Sequence, residues 1–225
     1  MRLRYFLDDS FLDDTRSMTR IGASALIISV ILVTGCSDAP PPSAKKAEAP
    51  SQPISGRQAM QYTNGSARIW AADSQPLTVR SIYVPEIFAN AAKVEPGKAG
   101  AWEVNFASEN SASVRPYTWS SMELENIHKG IFPGPPDTFR AGGAQQPFSP
   151  AEIKIDSTEA YEAATMAGGE YLKKAGTKPP VNFMLELNKA ERFPNPVWRV
   201  MWGGSISSAD YVVTVDALTG KVVAR

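Results

Sequence analysis

The first strong pattern along the chain is an apolar run from Ile21 to Val33. At about a dozen residues it is too short to cross a bilayer comfortably as a helix. Residues 37–53, SDAPPPSAKKAEAPSQP, are rich in Pro, Ala and Lys and carry no large apolar side chain. Such a composition buries too little surface to offset the entropy of ordering, and it predicts a disordered tether. From Ser55 onward the pattern becomes periodic. Ser55-Gly56-Arg57-Gln58 forms an S-x-x-Q capping box, and Met60, Thr63, Ala67 and Trp70 recur behind it at helical spacing. Strands are predicted at Leu77 to Val84, at AWEVNFAS, and near Arg115 to Ser121 with Tyr117 and Trp119. In AWEVNFAS the period of two places Trp102, Val104 and Phe106 on one face.

The same order of patterns then returns. Asp156-Ser157-Thr158-Glu159 is an acidic version of the capping box, and Tyr161, Ala164, Gly168 and Leu172 continue as a helical stripe. VNFMLELN alternates Val181, Phe183, Leu185 and Leu187, and VWRVMWGG places Trp198, Val200 and Trp202 on one face. A hairpin from Tyr211 to Val223 closes the set. W-x-V-x-aromatic thus occurs twice, 47 residues after Ser55 and 42 after Asp156. We read an α+β fold of two tandem units, 54–125 and 156–225, each a helix packed on a small antiparallel β-sheet. The alternative is coincidence among strand patterns. Units of about 70 residues are marginal alone, so the two are expected to pack into one body. Between them, residues 126–155 form a Pro/Gly-rich connecting loop that cannot hold a continuous helix or a central strand.

Composition narrows the chemistry. The 23 Lys and Arg balance 23 Asp and Glu, and no basic stripe of a nucleic-acid binder is visible. One Cys and one His exclude the common zinc frameworks and any disulfide within the chain, so no metal or cofactor is expected. Thr219-Gly220-Lys221 has a nucleotide-loop flavour, but Val215 stands where a Walker loop needs its first glycine, and Val222 replaces the metal-binding hydroxyl. No G-x-G-x-x-G, G-x-S-x-G or H-E-x-x-H is present. A Ser205–His128 pairing and carboxylate pairs such as Glu186 with Asp210, or Glu103 with Asp156, have no spacing that demands them. We therefore expect no catalytic residues and no enzyme.

Binding is the remaining class. Trp102, Phe106, Trp198 and Trp202 read either as the core face of the sheet or as an aromatic groove for peptide or glycan. Arg199, Met201, Glu103 and Asn105 point the opposite way on those strands. Phe132, Phe139 and Phe148 either pin the long loop to the body or make it a ligand-binding loop. Phe132, Phe139, Phe148 and Arg199 are the candidate binding residues.

Two resemblances add to this. Arg20, the apolar block and Gly35-Cys36 have the layout of a secretory signal over residues 1–35, and Leu32-Val33-Thr34-Gly35-Cys36 resembles the lipobox of bacterial lipoproteins. An uncleaved signal anchor is the alternative. The lipobox resemblance implies cleavage before Cys36, acylation of that residue, and a lipid-anchored protein facing the periplasm from the cell envelope. Ser37 after the Cys is similar to Gram-negative outer-membrane sorting signals. The acidic residues Asp8, Asp9, Asp13 and Asp14 ahead of the apolar block predict Met18 as the true start. The second resemblance covers residues 156–225. The helix, the strands, V-W-R-V-M-W and the closing strand, D-A-L-T-G-K turn and strand from Tyr211 to Val223 resemble the PepSY domain, while the first unit lacks D-A-x-T-G and is similar only as a degenerate copy. The family implies a helix on a small antiparallel sheet, no catalytic residues, and an inhibitory or regulatory role toward a peptidase or another envelope protein. A small-ligand or glycan carrier using the aromatic face is the alternative function.

In the closing hairpin, Gly220 is expected to supply the positive φ of the turn, with Asp216 accepting backbone amides across it. Lys221 is expected to begin the return strand at a sheet edge. Gly220→Val should therefore lower the midpoint of denaturant unfolding, whereas Lys221→Ala should leave it nearly unchanged.

Overall fold

Both capping boxes form, and they start the two main helices. In a computed structural model of the chain, residues 52–85, 94–175, 180–191 and 193–225 are described. They belong to one compact unit, Lys45–Arg225. The apolar block, Cys36 and the tether up to residue 51 lie outside the described residues. Helix α1 (Gly56–Trp70) starts at Ser55, whose hydroxyl accepts from Gln58 N while the Gln58 side chain accepts from Ser55 N. It buries Gly56, Ala59, Met60, Thr63 and Ala67, so Met60, Thr63 and Ala67 of the predicted stripe are buried while Trp70 is half-buried. Helix α2 (Ser157–Ala167) starts at Asp156, with Glu159 reaching back to close the box. The predicted stripe through Gly168 and Leu172 is broken there: α2 stops at Gly168, and a short α3 (Gly169–Lys174) follows. The break brings Tyr171 of α3 into a stack on Tyr211, with centroids 4.5 Å apart. No helix among the described residues is long and apolar enough to cross a membrane.

The strands are β1 (Ile54–Ser55), β2 (Gln75–Ser81), β3 (Lys98–Ala99), β4 (Ala101–Ser108), β5 (Ser113–Ser120), β6 (Gly130–Pro133), β7 (Asp137–Thr138), β8 (Gln145–Gln146), β9 (Val181–Asn188), β10 (Val197–Gly203), β11 (Ala209–Asp216) and β12 (Val222–Ala224). β1 and β3 form a small pair of their own. The other ten strands form one sheet in the order β12-β11-β10-β9-β2-β4-β5-β6, with β7 added on β5 and β8 on β9. All pairings are antiparallel. At the centre β2 meets β9 through Thr78↔Glu186, Val79↔Leu185 and Arg80↔Met184, so the strands of both halves run into a single continuous sheet.

Strand β2 starts earlier than the pattern suggested, because its register slips between Pro76 and Thr78 and the bulge accommodates a proline that cannot donate. The connecting loop is less bare than predicted: it contributes β6, β7 and β8 and a 3-10 turn at Pro150–Glu152. These short strands sit where a Pro/Gly-rich chain can still pair, along the outer side of β5 and against the end of β9.

Both helices cover the same face of the sheet, α1 over β4 and β5, α2 over β10 and β11. Beneath them Trp102, Val104, Phe106, Tyr117, Trp119, Phe183, Leu185, Trp198, Val200 and Trp202 form one buried cluster with the small helix residues Ala59, Ala67, Ala160 and Ala164. Two indoles meet edge to face, Trp102 and Trp198, at 6.4 Å and 71°. Each is tied to the backbone just ahead of a cap: Trp102 Nε1 donates to Ile54 O at 3.0 Å, and Trp198 Nε1 to Ile155 O at 2.9 Å. A Cβ on Gly56 would come within 2.4 Å of the Trp198 ring, so the first turn of α1 can approach the pair only with glycine there.

The two helix N-termini converge on Asp156, which is 7 % exposed. One of its carboxylate oxygens accepts from Ser157 N (2.7 Å) and from Arg57 N of α1 (2.9 Å), and the other accepts from the Ser55 hydroxyl (2.6 Å). Ser157 Oγ accepts in turn from Gly56 N and donates to Gly97 O. One carboxylate thus caps its own helix and saturates the start of the other. Asp156→Ala removes a cap and strands buried donors on two helices, so we expect a loss of about 3 kcal/mol in urea unfolding, while Ser55→Ala should cost less.

Candidate functional site

The residues that the sequence offered for binding fall in different places. Phe139 and Phe148 are 8 % and 2 % exposed, so neither presents a surface to a ligand. Phe139 packs on Leu77, Ala107 and Val114, and Phe148 joins the main core, with its N–H donating to Pro76 O. These two side chains pin the connecting loop to the body; as ligand-binding residues they are corrected. Phe132 is different. At 49 % exposed it lies on β6 beside His128, with ring centroids 4.6 Å apart.

Arg199 does lie on the sheet face opposite the helices, but its guanidinium is engaged. Nε donates to Glu186 Oε1 at 2.8 Å, and Nη2 to Glu191. Gln145 Nε2 donates to the other oxygen of Glu186 at 3.0 Å. Burial would favour the neutral guanidine, but the two carboxylates outweigh it and hold the Arg199 pKa above its ordinary value. The cluster ties β8, β9 and β10 together and closes on itself, so Arg199 is an internal clasp rather than a free binding group. A second ion pair on this face, Arg80–Glu103 at 2.9 Å, is linked through Asn105 to Thr78. Met201, which alternates with the aromatic stripe, is nevertheless buried at 2 % exposed.

The aromatic stripe is core. Trp102, Phe106 and Trp198 are 0 % exposed and Trp202 2 %, and they leave no open groove. The chemical pairs that the sequence did not demand have other partners here. His128 Nδ1 bonds Glu123 at 2.6 Å, and Ser205 bonds Ser207 and Ser208. Glu186 pairs with Arg199, and Glu103 with Arg80. Among the described residues no group of three or more His, Cys, Asp or Glu is arranged to hold a metal ion.

Sequence reasoning missed a cavity among the described residues. It measures about 280 Å³ and is bounded by Asp73, Gln75, Ala107, Glu109, Asn110, Gln146 and Pro147. The Asn110 amide (3.0 Å) and the Ser108 hydroxyl (2.8 Å) donate to Asp73 and hold its carboxyl below the ordinary value. Its walls come from the α1–β2 turn, the β4–β5 turn and β8, and no local motif could announce a meeting of three such segments.

The Thr-Gly-Lys stretch is a hairpin. Gly220 has φ +75°, and its N–H donates to Asp216 O. Asp216 Oδ1 accepts from Leu218 N and Thr219 N at 2.9 and 2.7 Å, and Oδ2 from Asn195 at 2.9 Å. β12 begins at Val222, one residue after Lys221.

Burial pushes the Asp216 pKa up, but the bonds from Asn195, Thr219 and Leu218 outweigh it, and the net direction is down from 3.8. A carboxylate depressed in the folded state contributes stability above its unfolded pKa and loses it as pH falls through the folded value. Asp216→Asn should therefore cost about 1 kcal/mol at neutral pH, and its gap to the wild type should shrink as pH drops below about 4. Thermal unfolding across that range measures both.

Compared with family models, curated proteins and solved structures, this chain matches none.

Proposed function

We propose that this chain is a lipid-anchored envelope protein whose body is built from two PepSY-like halves and acts by binding another envelope protein, in the manner of a regulatory module. Cys36 carries the acyl anchor, and residues 37–53 tether the body to the membrane. The observation that carries the two-halves reading is a repeated device. Ile54-Ser55-Gly56 and Ile155-Asp156-Ser157 each open a capped helix, and each isoleucine carbonyl receives the indole N–H of a W-x-V-x-aromatic strand. Four strands follow each helix on the path of the sheet, β2-β4-β5-β6 and β9-β10-β11-β12, and the halves join through their first strands.

The D-A-L-T-G-K hairpin supports the PepSY-like reading of the second half. Asp216 and Gly220 do in it what such a turn requires, and Lys221 makes no ion pair among the described residues. A protein partner is favoured over a glycan because the aromatic stripe that a sugar would stack on lies beneath the helices. The opposite face is rich in polar side chains already bonded to one another, which suits a rigid scaffold presenting loops and helix surfaces.

Cys36→Ser should abolish incorporation of labelled palmitate and move the protein from the membrane to the soluble fraction. Photo-crosslinking probes on exposed positions of the second half, such as Leu218, should capture a discrete envelope protein from cells expressing the wild type. Palmitate labelling that survives Cys36→Ser would defeat the anchor. An anchored protein yielding no discrete crosslink at any exposed position would defeat the binding role.

A further inference from the structure

Helix α1 turns an unusual side to solvent. Ile69 is 90 % exposed and Tyr62 42 %, the former more open than any other large apolar side chain of the described residues. They lie seven residues apart, two turns along one line of the helix, with only Gly65 and Ser66 between them on that side. Trp70, half-buried, lies about 100° round the helix from Ile69 and packs against the core. The helix carries Arg57 and Arg68 and no Asp or Glu. Arg57 is turned toward Asp156 and Lys154 O, and Arg68 gives one nitrogen to Ala72 O, leaving the rest of its guanidinium to solvent. The neighbouring helices differ: α2 and α3 place Glu159, Glu162 and Glu170 outward against Lys173 and Lys174. The outer side of α1 thus carries cationic and no anionic side chains of its own, although Asp73 follows in the next turn, whereas α2 and α3 expose more carboxylates than ammonium groups.

We propose that the outer side of α1 rests on the anionic lipid surface to which the protein is anchored, with Ile69 and Tyr62 entering the headgroup region and Arg68 pairing with lipid phosphate. The proposal rests on the lipid-anchor reading of Cys36. Geometry supports it independently of charge. The tether runs straight into α1, since Ile54 and Ser55 precede its first turn. Residues 37–53 separate Cys36 from Ile54, and α1, with 15 residues, is about 22 Å long. An anchor at Cys36 thus enters the body at the first turn of α1. Tyr and Trp favour the interface between headgroups and acyl chains, where one end of the ring is wet and the other apolar. Contact through α1 leaves the sheet face opposite the helices and the closing hairpin turned away from the membrane, toward a partner.

The test uses the full chain purified in its acylated form and reconstituted into vesicles of phosphatidylethanolamine, alone or mixed with phosphatidylglycerol. An environment-sensitive fluorophore is placed on Ile69→Cys or, as control, on Met166→Cys of α2, which is 80 % exposed; the anchor cysteine is blocked by its lipid. The probe at 69 should shift to the blue and be quenched by a lipid-borne quencher in the mixed vesicles, while the probe at 166 stays water-like. Adding Arg68→Glu should reduce the membrane-embedded fraction about tenfold. A probe at 69 that stays water-like on anchored protein overturns the inference and leaves the anchor intact. Equal responses at 69 and 166 also overturn it, as does a shift without vesicles at raised protein concentration, which would mean that a second copy covers α1. A chain that never carries acyl groups removes the anchor and this inference with it.

Discussion

Two helix N-termini cannot meet inside a protein unless something takes up their unpaired amides and their like partial charges. Here that something is one buried carboxylate. Asp156 caps α2, accepts from a backbone amide of α1 and holds the hydroxyl of Ser55, the cap of α1. Everything at the centre of the molecule is arranged around this junction. The isoleucine carbonyls ahead of the two caps receive the indoles of Trp102 and Trp198, those indoles pack edge to face, and Gly56 leaves room for them. Directly beneath, β2 and β9 pair and turn two sets of strands into one sheet. Caps, indoles and central pairing fix the same relation between the halves, and consistency at several levels is what gives a sequence one structure.

The polar side chains of the opposite sheet face serve the same end. Glu186, Arg199, Glu191 and Gln145 tie the second half to the connecting loop, and Arg80, Glu103, Asn105 and Thr78 tie β2 to β4. Partly buried ions need such mutual satisfaction, because one left without its partner would be costly. Rigidity of this kind suits a module that presents surfaces to others. In the arrangement proposed above, an anchor on one side and a sheet facing away would hold a partner at the membrane.

Much of the fold was legible in the residues themselves. Both capping boxes were visible because their chemistry is local, and AWEVNFAS and VNFMLELN became β4 and β9 without a change of boundary, because their alternation is sharp and turn residues flank it. Errors came where non-local contacts decide. β6, β7 and β8 are two to four residues long and exist only because β5 and β9 offer them partners. At the stop, Gly168 leaves room for the Tyr211 ring, which a Cβ there would approach to 2.9 Å. Arg199 looked available because nothing in V-W-R-V-M-W reveals that Glu186 and Glu191 lie across the ladder. Phe139 and Phe148 were correctly read as pins by one reading and wrongly as binding residues by the other, and only burial separates the two.

The central claim is that two halves form one cooperative body. Urea unfolding of Lys45–Arg225, the compact unit that holds the whole described core, tests it directly when followed both by far-UV circular dichroism and by fluorescence of the five tryptophans. The account predicts a single transition at the same midpoint for both probes, with a denaturant slope fitting the surface of the entire unit. Two separable transitions, or a slope fitting only half the unit, would contradict it.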